Sequence, residues 1–416
     1  MVIGFDGSRA FTGQRTGTEN YSYQLLKNLA KIDRINQYIV YLRPLGTQGV
    51  PLQGWPDNFR FRTINWLRLW TQGGLAIQTF RDNLDVLFVP AHTLPVIRYP
   101  GLKTVVTVHD LGSEYLSSMH QIKQRIYLGF MQRYQLKTAT KIIAVSKATK
   151  NNLVKKTGID QRRIEVIYEG YDQNLFRPVK FDLLVNSLSH YGLKPGKYFL
   201  FVGTVQPRKN LERLIKAFAK FAARRSAKNR SYGRDLLACE NFVEDRYPQS
   251  LRKSAQNPQH FLTTCDFAAL KLIIVGGKGW MSEKIYALPK QLGIEDRVKF
   301  LGYVPVKDLP ALYSGAIALT FPSLFEGFGL PILEAQACGC PVLTSNISSM
   351  PEVAGLSDGG GAIFVDPYST SDIVKGMVEI MNKDMKRRII EAGFLNIKRF
   401  SWERCARGTL KVLEAL

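Results

Sequence analysis

Phe321-Pro-Ser-Leu-Phe-Glu326-Gly-Phe-Gly-Leu-Pro331-Ile-Leu-Glu334-Ala-Gln-Ala-Cys-Gly-Cys-Pro341-Val-Leu-Thr-Ser345 is the stretch that decides the fold. It reads as a strand end, a glycine turn, a helix and a second strand. The apolar run before it, Ala316-Ile-Ala-Leu-Thr320, predicts a short buried strand bounded by turn residues. Gly327 and Gly329 let the backbone bend sharply and let a ligand approach the main chain. Pro331 suits the first helical position, where its missing N–H costs nothing. Cys338-Gly-Cys-Pro341 stops the helix, and Val342 begins the next strand. A helix start behind a glycine turn presents N–H groups and a positive dipole end, a natural seat for an anion. Glu326 stands before that turn and Glu334 about one helical turn inside. Two carboxylates suit a bare phosphate poorly, because each repels it; they suit a ligand that also carries hydroxyls. A nucleotide sugar combines a diphosphate, ribose hydroxyls and sugar hydroxyls. The plainer alternative is an ordinary strand–turn–helix connection with two solvated glutamates, and spacing alone leaves both open.

The wording Glu326-Gly-Phe-Gly-Leu-Pro-Ile-Leu-Glu334-Ala335 resembles the donor-site signature of the family 4 retaining glycosyltransferases. That family has the GT-B architecture, an α/β fold of two Rossmann-like domains whose parallel sheets face each other across a cleft. The resemblance implies an acceptor-side domain over residues 1–180 and a nucleotide-sugar domain over 190–400, with a final helix at 400–416 crossing back to the first. It implies Glu326 and His109 as catalytic residues. The implied donor contacts are Gly17, Gly203, Arg208, Lys209, Gly327, Phe328, Gly329, Leu330 and Glu334, with no metal ligands.

Working outward, 416 residues suffice for two domains with full cores. Apolar content of 45% and charged content of 22% are those of a globular protein. No apolar run approaches the roughly 18 residues needed to span a bilayer. Met1-Val-Ile-Gly-Phe-Asp6 reads as a first strand, not as a secretory signal. Five cysteines without metal-type spacing predict reduced thiols in a cytosolic protein. A net charge of +23 calls for polyanionic surroundings: anionic lipid headgroups, nucleic acid or an acidic acceptor. Part of it is also a solubilising surface.

The first domain reads strand Val2–Phe5, helix Asn20–Lys31 and strand Tyr38–Leu42, the helix burying Tyr21, Leu25, Leu26 and Leu29. Thr16-Gly-Thr-Glu-Asn-Tyr21 resembles the family's Gly-Gly-Val-Glu-Arg-Tyr loop with Thr16 in place of the first glycine, which points to Gly17 rather than Gly13. Strands over 85–89 and 103–108 end near His92 and His109, and ligands of open α/β sheets bind beyond such strand ends. A histidine there is more often structural than catalytic. The Thr107-Val-His109-Asp-Leu wording resembles the family's acceptor-side histidine and favours His109 over His92. Residues 122–140 are basic and aromatic; a solvated helix face explains them, and a membrane-surface helix is the alternative. Ile142–Ser146 predicts another strand, with Ser146 capping the following helix, and Arg163–Asp172 the last strand of this domain.

The second domain opens with strand Tyr198–Val202, then Gly203-Thr-Val-Gln-Pro-Arg208-Lys209-Asn210. A basic loop is common in so cationic a chain, but this wording resembles the family's diphosphate clamp, and arginine can fork two phosphate oxygens. Residues 223–267 are polar, mixed in charge and aperiodic, and read as a surface insertion that the family pattern does not require. Leu270–Gly279 resembles a Rossmann strand with its glycine turn. Val298–Val304 resembles the segment beside the nucleotide base.

The reaction implied by the resemblance moves a hexose from a nucleotide-diphosphate donor to an acceptor hydroxyl with retention. Bond cleavage leaves negative charge on the diphosphate, which Arg208, Lys209 and the amides around Gly327–Leu330 would stabilise. Glu334 would accept from the ribose hydroxyls, Glu326 would hold sugar hydroxyls and His109 would orient the sugar, with a leaving phosphate oxygen as the base. No Asp-x-Asp occurs in the chain, so the expectation is a metal-independent reaction with no cofactor beyond a GDP- or UDP-linked donor. The wording is nearest to mannosyltransferases. The expected acceptor is a glycan or lipid-linked glycan, reached from the cytoplasm or from the inner face of an anionic membrane, in cell-surface polysaccharide synthesis. Epimerases and phosphorylases share the architecture, but the pyridoxal-phosphate lysine motif of phosphorylases is missing here. A nucleic-acid-binding protein would also use the charge. The basic residues, however, are scattered through an α/β pattern instead of interleaving with stacking aromatics.

Overall fold

The computed structural model describes residues 1–12, 17–44, 54–66, 68–91, 93–110, 134–227, 270–356 and 360–416. Gly13, His92, most of the basic 122–140 segment and nearly all of the 223–267 insertion, with Cys239 and Cys265, lie outside the described residues. The chain divides into two compact units, 1–170 with 400–416, and 171–399.

The first unit is a seven-stranded parallel sheet in the order β3-β2-β1-β4-β5-β6-β7. Its strands are β1 (Val2–Asp6), β2 (Gln37–Leu42), β3 (Phe59–Thr63), β4 (Val86–Val89), β5 (Lys103–Val108), β6 (Lys141–Ala144) and β7 (Ile164–Val166). All four residues of β4 are buried, as expected of a parallel strand covered on both faces. The edge strand β3 instead carries exposed Arg60 and Arg62, charges that discourage pairing with a further strand. Helix α1 (Gly17–Ile32) buries Tyr21, Leu25, Leu26 and Leu29. Helices α2 (Ala76–Arg81) and α3 (Lys147–Thr157) follow, α3 capped by the Ser146 side chain, which accepts from the Thr149 N–H. The C-terminal residues return to this unit. Gly170 lies so close to the Ser401–Trp402 backbone that an added Cβ would stand 2.1 Å from the Trp402 nitrogen. Only a glycine leaves the last helix that room.

The second unit is a six-stranded parallel sheet in the order β10-β9-β8-β11-β12-β13. Its strands are β8 (Tyr198–Val202), β9 (Lys271–Val275), β10 (Val298–Gly302), β11 (Leu319–Phe321), β12 (Val342–Ser345) and β13 (Ile363–Val365). Its helices are α4 (Phe181–Ser189), α5 (Leu211–Ala227), α6 (Glu283–Gln291), α7 (Leu309–Gly315), α8 (Leu330–Ala337), α9 (Met350–Ala354), α10 (Thr370–Glu379) and α11 (Lys383–Asn396); the final helix, α12 (Trp402–Glu414), belongs to the first unit. The segment after Gly170 already packs here. The Phe176 ring lies edge-on to Tyr313, and the Val179 N–H donates to the Ser314 hydroxyl.

Both strand orders reverse direction beside the first strand of the unit, between β1 and β4 in one sheet and between β8 and β11 in the other. In open α/β sheets such a switch point opens a crevice at the carboxyl ends of the strands, because the flanking connections leave on opposite faces.

Candidate functional site

In the second unit, the loops after β8 and β11 meet at the switch point. Gly203 (φ +149°) and Gly276 (φ +141°) let the ends of β8 and β9 close up: a Cβ on Gly276 would stand 2.1 Å from the Gly203 oxygen. The loop after β8 then makes one 3₁₀ turn, Pro207–Lys209, ended by Asn210 in the left-handed region at φ +61°. The Asn210 amide donates to the carbonyls of Pro322 and Pro367 at 2.9 and 2.7 Å. The Leu324 N–H donates to the Arg208 carbonyl at 2.9 Å. These bonds pin the Arg208–Lys209 turn to the segment leading into Glu326.

Glu326, 6% exposed, is gripped by both cations. Lys209 Nζ lies 2.5 Å from its Oε1 and Arg208 Nη1 3.0 Å from its Oε2. Burial pushes the Glu326 carboxyl up, but the charges of Lys209 and Arg208 prevail and hold it below the usual range, as an anion. Lys209 is itself 7% exposed and stands 5.0 Å over the Phe321 ring. Two cations against one carboxylate leave a net charge of +1, suited to an incoming diphosphate. Below the cluster, the Glu326 carbonyl accepts from the hydroxyls of Ser348 and Ser349 at 2.8 and 3.0 Å, and Ser349 also donates to the Phe328 carbonyl at 2.7 Å. These two serines latch the glycine turn from the start of α9. The sequence reading passed over them, although a Ser-Ser-Met-Pro run ahead of a helix was visible.

Helix α8 starts behind Gly329, whose φ of +110° requires a glycine, and no side chain caps it. Leu330 is its first residue, so Pro331 is the second rather than the first; both positions spare an N–H with no intrahelical partner. Gly327, Phe328 and Gly329 are therefore the three residues between Glu326 and the helix, and Leu330 is its first residue. Glu334 lies on α8, not in that cluster. Its Oε2 accepts from the Tyr313 hydroxyl at 2.8 Å. Burial pushes its pKa up to about 7, with the Tyr313 hydrogen bond pulling the other way. Tyr313, from α7, gave no signal in the sequence, because a tyrosine in an apolar helix looks like core.

In the first unit, Gly17 opens α1, and a Cβ there would meet nothing within 4 Å. His109 follows β5 with both ring nitrogens engaged: Nδ1 with Glu169 Oε1 at 3.0 Å and Nε2 with the Pro90 carbonyl at 3.0 Å. A carbonyl and an ionised carboxylate only accept, so this pair of partners favours the doubly protonated ring. Burial opposes that charge, but the Glu169 hydrogen bond and charge outweigh it and raise the pKa. The Tyr21 ring packs edge-on at 4.6 Å and Tyr21 packs in turn on Trp402. In the doubly protonated form these partners favour, His109 has no lone pair to take a proton. Asp6, at the end of β1 and 6% exposed, shares this edge of the sheet. Its Oδ1 accepts from the Ser8 N–H, and burial raises its pKa. The sequence reading used it only as a strand end.

The model of the Glycosyltransferase Family 4 matches residues 15–175, and that of the Glycosyl transferases group 1 matches residues 247–395. The chain is a glycosyltransferase. This glycosyltransferase is 29% identical to the O-antigen chain mannosyltransferase B of Escherichia coli, over 76% of its own length and 71% of that protein. It is 25% identical to the O-antigen chain mannosyltransferase RfbU of Salmonella typhimurium, over 85% and 83% of the two chains. Among solved structures it resembles Alr3699/HepE of Anabaena in complex with UDP and glucose, with a TM-score of 0.69 and 18% identity over 100% and 99% of the two chains. The fold is GT-B, two units each built on a parallel sheet.

Proposed function

We propose that this glycosyltransferase moves mannose from GDP-mannose to a hydroxyl of a growing cell-surface glycan, with retention and without a metal ion. The observation that carries the reading is the Arg208–Lys209–Glu326 cluster, set at the switch point and separated by three residues from the start of α8. The donor diphosphate would draw Arg208 and Lys209 partly away from Glu326 and take the amides at the start of α8. Charge developing on the leaving diphosphate then meets fixed cations in a site sheltered from water, where each is worth more than in solution. Glu326, released on one side, would face the sugar and offset the positive charge growing at its anomeric carbon. Glu334 would accept from the ribose diol. With both His109 ring nitrogens already engaged, the acceptor's proton would pass to a leaving phosphate oxygen. The mannose assignment draws on the two O-antigen mannosyltransferases that the chain resembles, and a glycan acceptor follows from the same likeness.

The test is transfer and donor hydrolysis across a panel of GDP- and UDP-sugars, with and without EDTA. The expected result is GDP-mannose turnover that EDTA leaves unchanged. HepE was solved with UDP and glucose, so preferential use of UDP-glucose would replace the donor assignment while keeping the site. Loss of turnover on chelation, restored by a divalent cation, would end the metal-independent reading.

A further inference from the structure

Beyond β3 the first unit exposes Asn65, Trp66, Arg68 and Leu69, with Trp66 43% and Leu69 77% accessible. Large exposed apolar side chains grouped in this way mark binding surfaces more often than they mark accidents. This one is held in shape. Leu69 sits at φ +51°, a backbone region in which a bulky side chain is strained and which recurs at ligand sites. The next turn, Thr71–Leu75, is a π-helix, a form concentrated at functional positions. Its two glycines seat the indole. A Cβ at Gly73 would stand 2.7 Å from Trp66 Cε2 and Nε1, and one at Gly74 2.9 Å from Trp66 Cβ. Gln72 ties the turn to the loop after β4, donating to the Leu94 carbonyl at 2.9 Å and accepting from the Val96 N–H at 2.8 Å.

We propose that Trp66, flanked by Asn65 and Arg68, is a stacking platform for a saccharide unit of the acceptor glycan remote from the hydroxyl that receives the sugar. The proposal rests on the glycosyl-transfer reading above and names a subsite for it. A pyranose ring presents an apolar C–H face that lies on an aromatic ring, while amide and guanidinium groups serve its hydroxyls. The position fits a polymer rather than a single sugar. Trp66 follows the carboxyl end of β3, and His109 follows that of β5, on the same edge of the sheet. The order β3-β2-β1-β4-β5 puts four strand steps between them, roughly 19 Å at about 4.8 Å per step. Only an acceptor several units long reaches both. A membrane surface would also accept a tryptophan and a leucine, but it gives no reason for the platform to share an edge with Asp6 and His109.

The test compares Trp66→Ala and Trp66→Phe with the wild type on α-linked manno-oligosaccharides of increasing length, GDP-mannose being the donor. Wild-type acceptor KM should drop about tenfold once the chain is long enough, a step worth one stacked ring. Trp66→Ala should lose that drop at unchanged kcat and donor KM, and Trp66→Phe should keep most of it. An equal drop in Trp66→Ala overturns the proposal. Binding of the same oligosaccharides without donor, read by tryptophan fluorescence quenching that is lost in Trp66→Phe, tests the platform separately from the donor assignment. Absence of such quenching, with Trp66→Ala losing instead its binding to vesicles of anionic phospholipid, assigns the surface to membrane and overturns the proposal.

Discussion

Lys209 Nζ stands 2.5 Å from Glu326 Oε1, across 117 positions of sequence. The pair forms because β8 and β11 are neighbours in the sheet, so the loops that leave their carboxyl ends share one crevice. A carboxylate this buried stays ionised only while its cations remain, and the cations stay compensated only while it does.

Replacing Glu326 by Gln should therefore separate binding from chemistry. The two cations lose their counter-ion, so GDP should bind at least as tightly as in the wild type. Turnover should fall about 100-fold or more, because the group facing the anomeric charge is gone. Calorimetry with GDP beside steady-state kinetics reads both. An unchanged kcat would remove Glu326 from the reaction.

Lys209→Met should be destabilising as well as inactivating. It leaves Arg208 as the remaining cation on the Glu326 carboxylate, and breaking a buried ion pair by removing one member costs about 3–5 kcal/mol. Chemical denaturation measures the loss, and a change within error would mean that the carboxylate protonates or reaches water.

Glu334 predicts a pH dependence with a definite sign. Its pKa is raised to about 7 from an ordinary 4.5. The protonated form thus adds stability to the empty protein that is complete below about 4.5 and lost as pH rises through about 7. Nucleotide affinity should run the other way, strengthening as pH rises through that range, since the ionised carboxyl is the better acceptor for ribose hydroxyls. Glu334→Gln should flatten the profile. Tyr313→Phe removes a bond that favours the anion and should move the midpoint upward. A flat wild-type profile of GDP affinity between pH 5.5 and 8.5 would exclude the role.

The His109–Glu169 pair predicts a second pH effect, on stability. The pKa of His109 is raised above 6.5, so the stability it supplies is complete below 6.5 and lost as pH climbs through the folded value. Glu169→Gln should bring the His109 imidazole resonances to a lower titration midpoint and remove that loss. An unmoved midpoint would show that Glu169 does not sustain the imidazolium.

The stretch 316–345 was legible because its signals agree: an apolar run, glycines where φ must be positive, and a proline near a helix start. Even there the regular strand begins at Leu319 rather than Ala316: Ala316 caps the C-terminus of α7, and Ile317 and Ala318 already bond to the β8 backbone ahead of the strand proper. Helix α4 falls in the gap between the expected domains 1–180 and 190–400; Leu184 and Leu188, four apart on one face and both buried, were its signal. Contacts between distant residues stayed hidden. Arg208 and Glu326 were each visible as motif members, but their mutual hold depends on strand order. Tyr313 beside Glu334 and Glu169 beside His109 depend on it too. No pattern of spacing reports which side chain lies across a sheet.

The central claim is that Arg208 and Lys209 receive the donor's diphosphate. The most direct measurement compares the affinities of GDP and GMP for the wild type and for Arg208→Ala. The second phosphate should tighten wild-type binding markedly, and most of that gain should vanish in Arg208→Ala while GMP affinity stays the same. An equal preference for GDP in both proteins would place the diphosphate elsewhere.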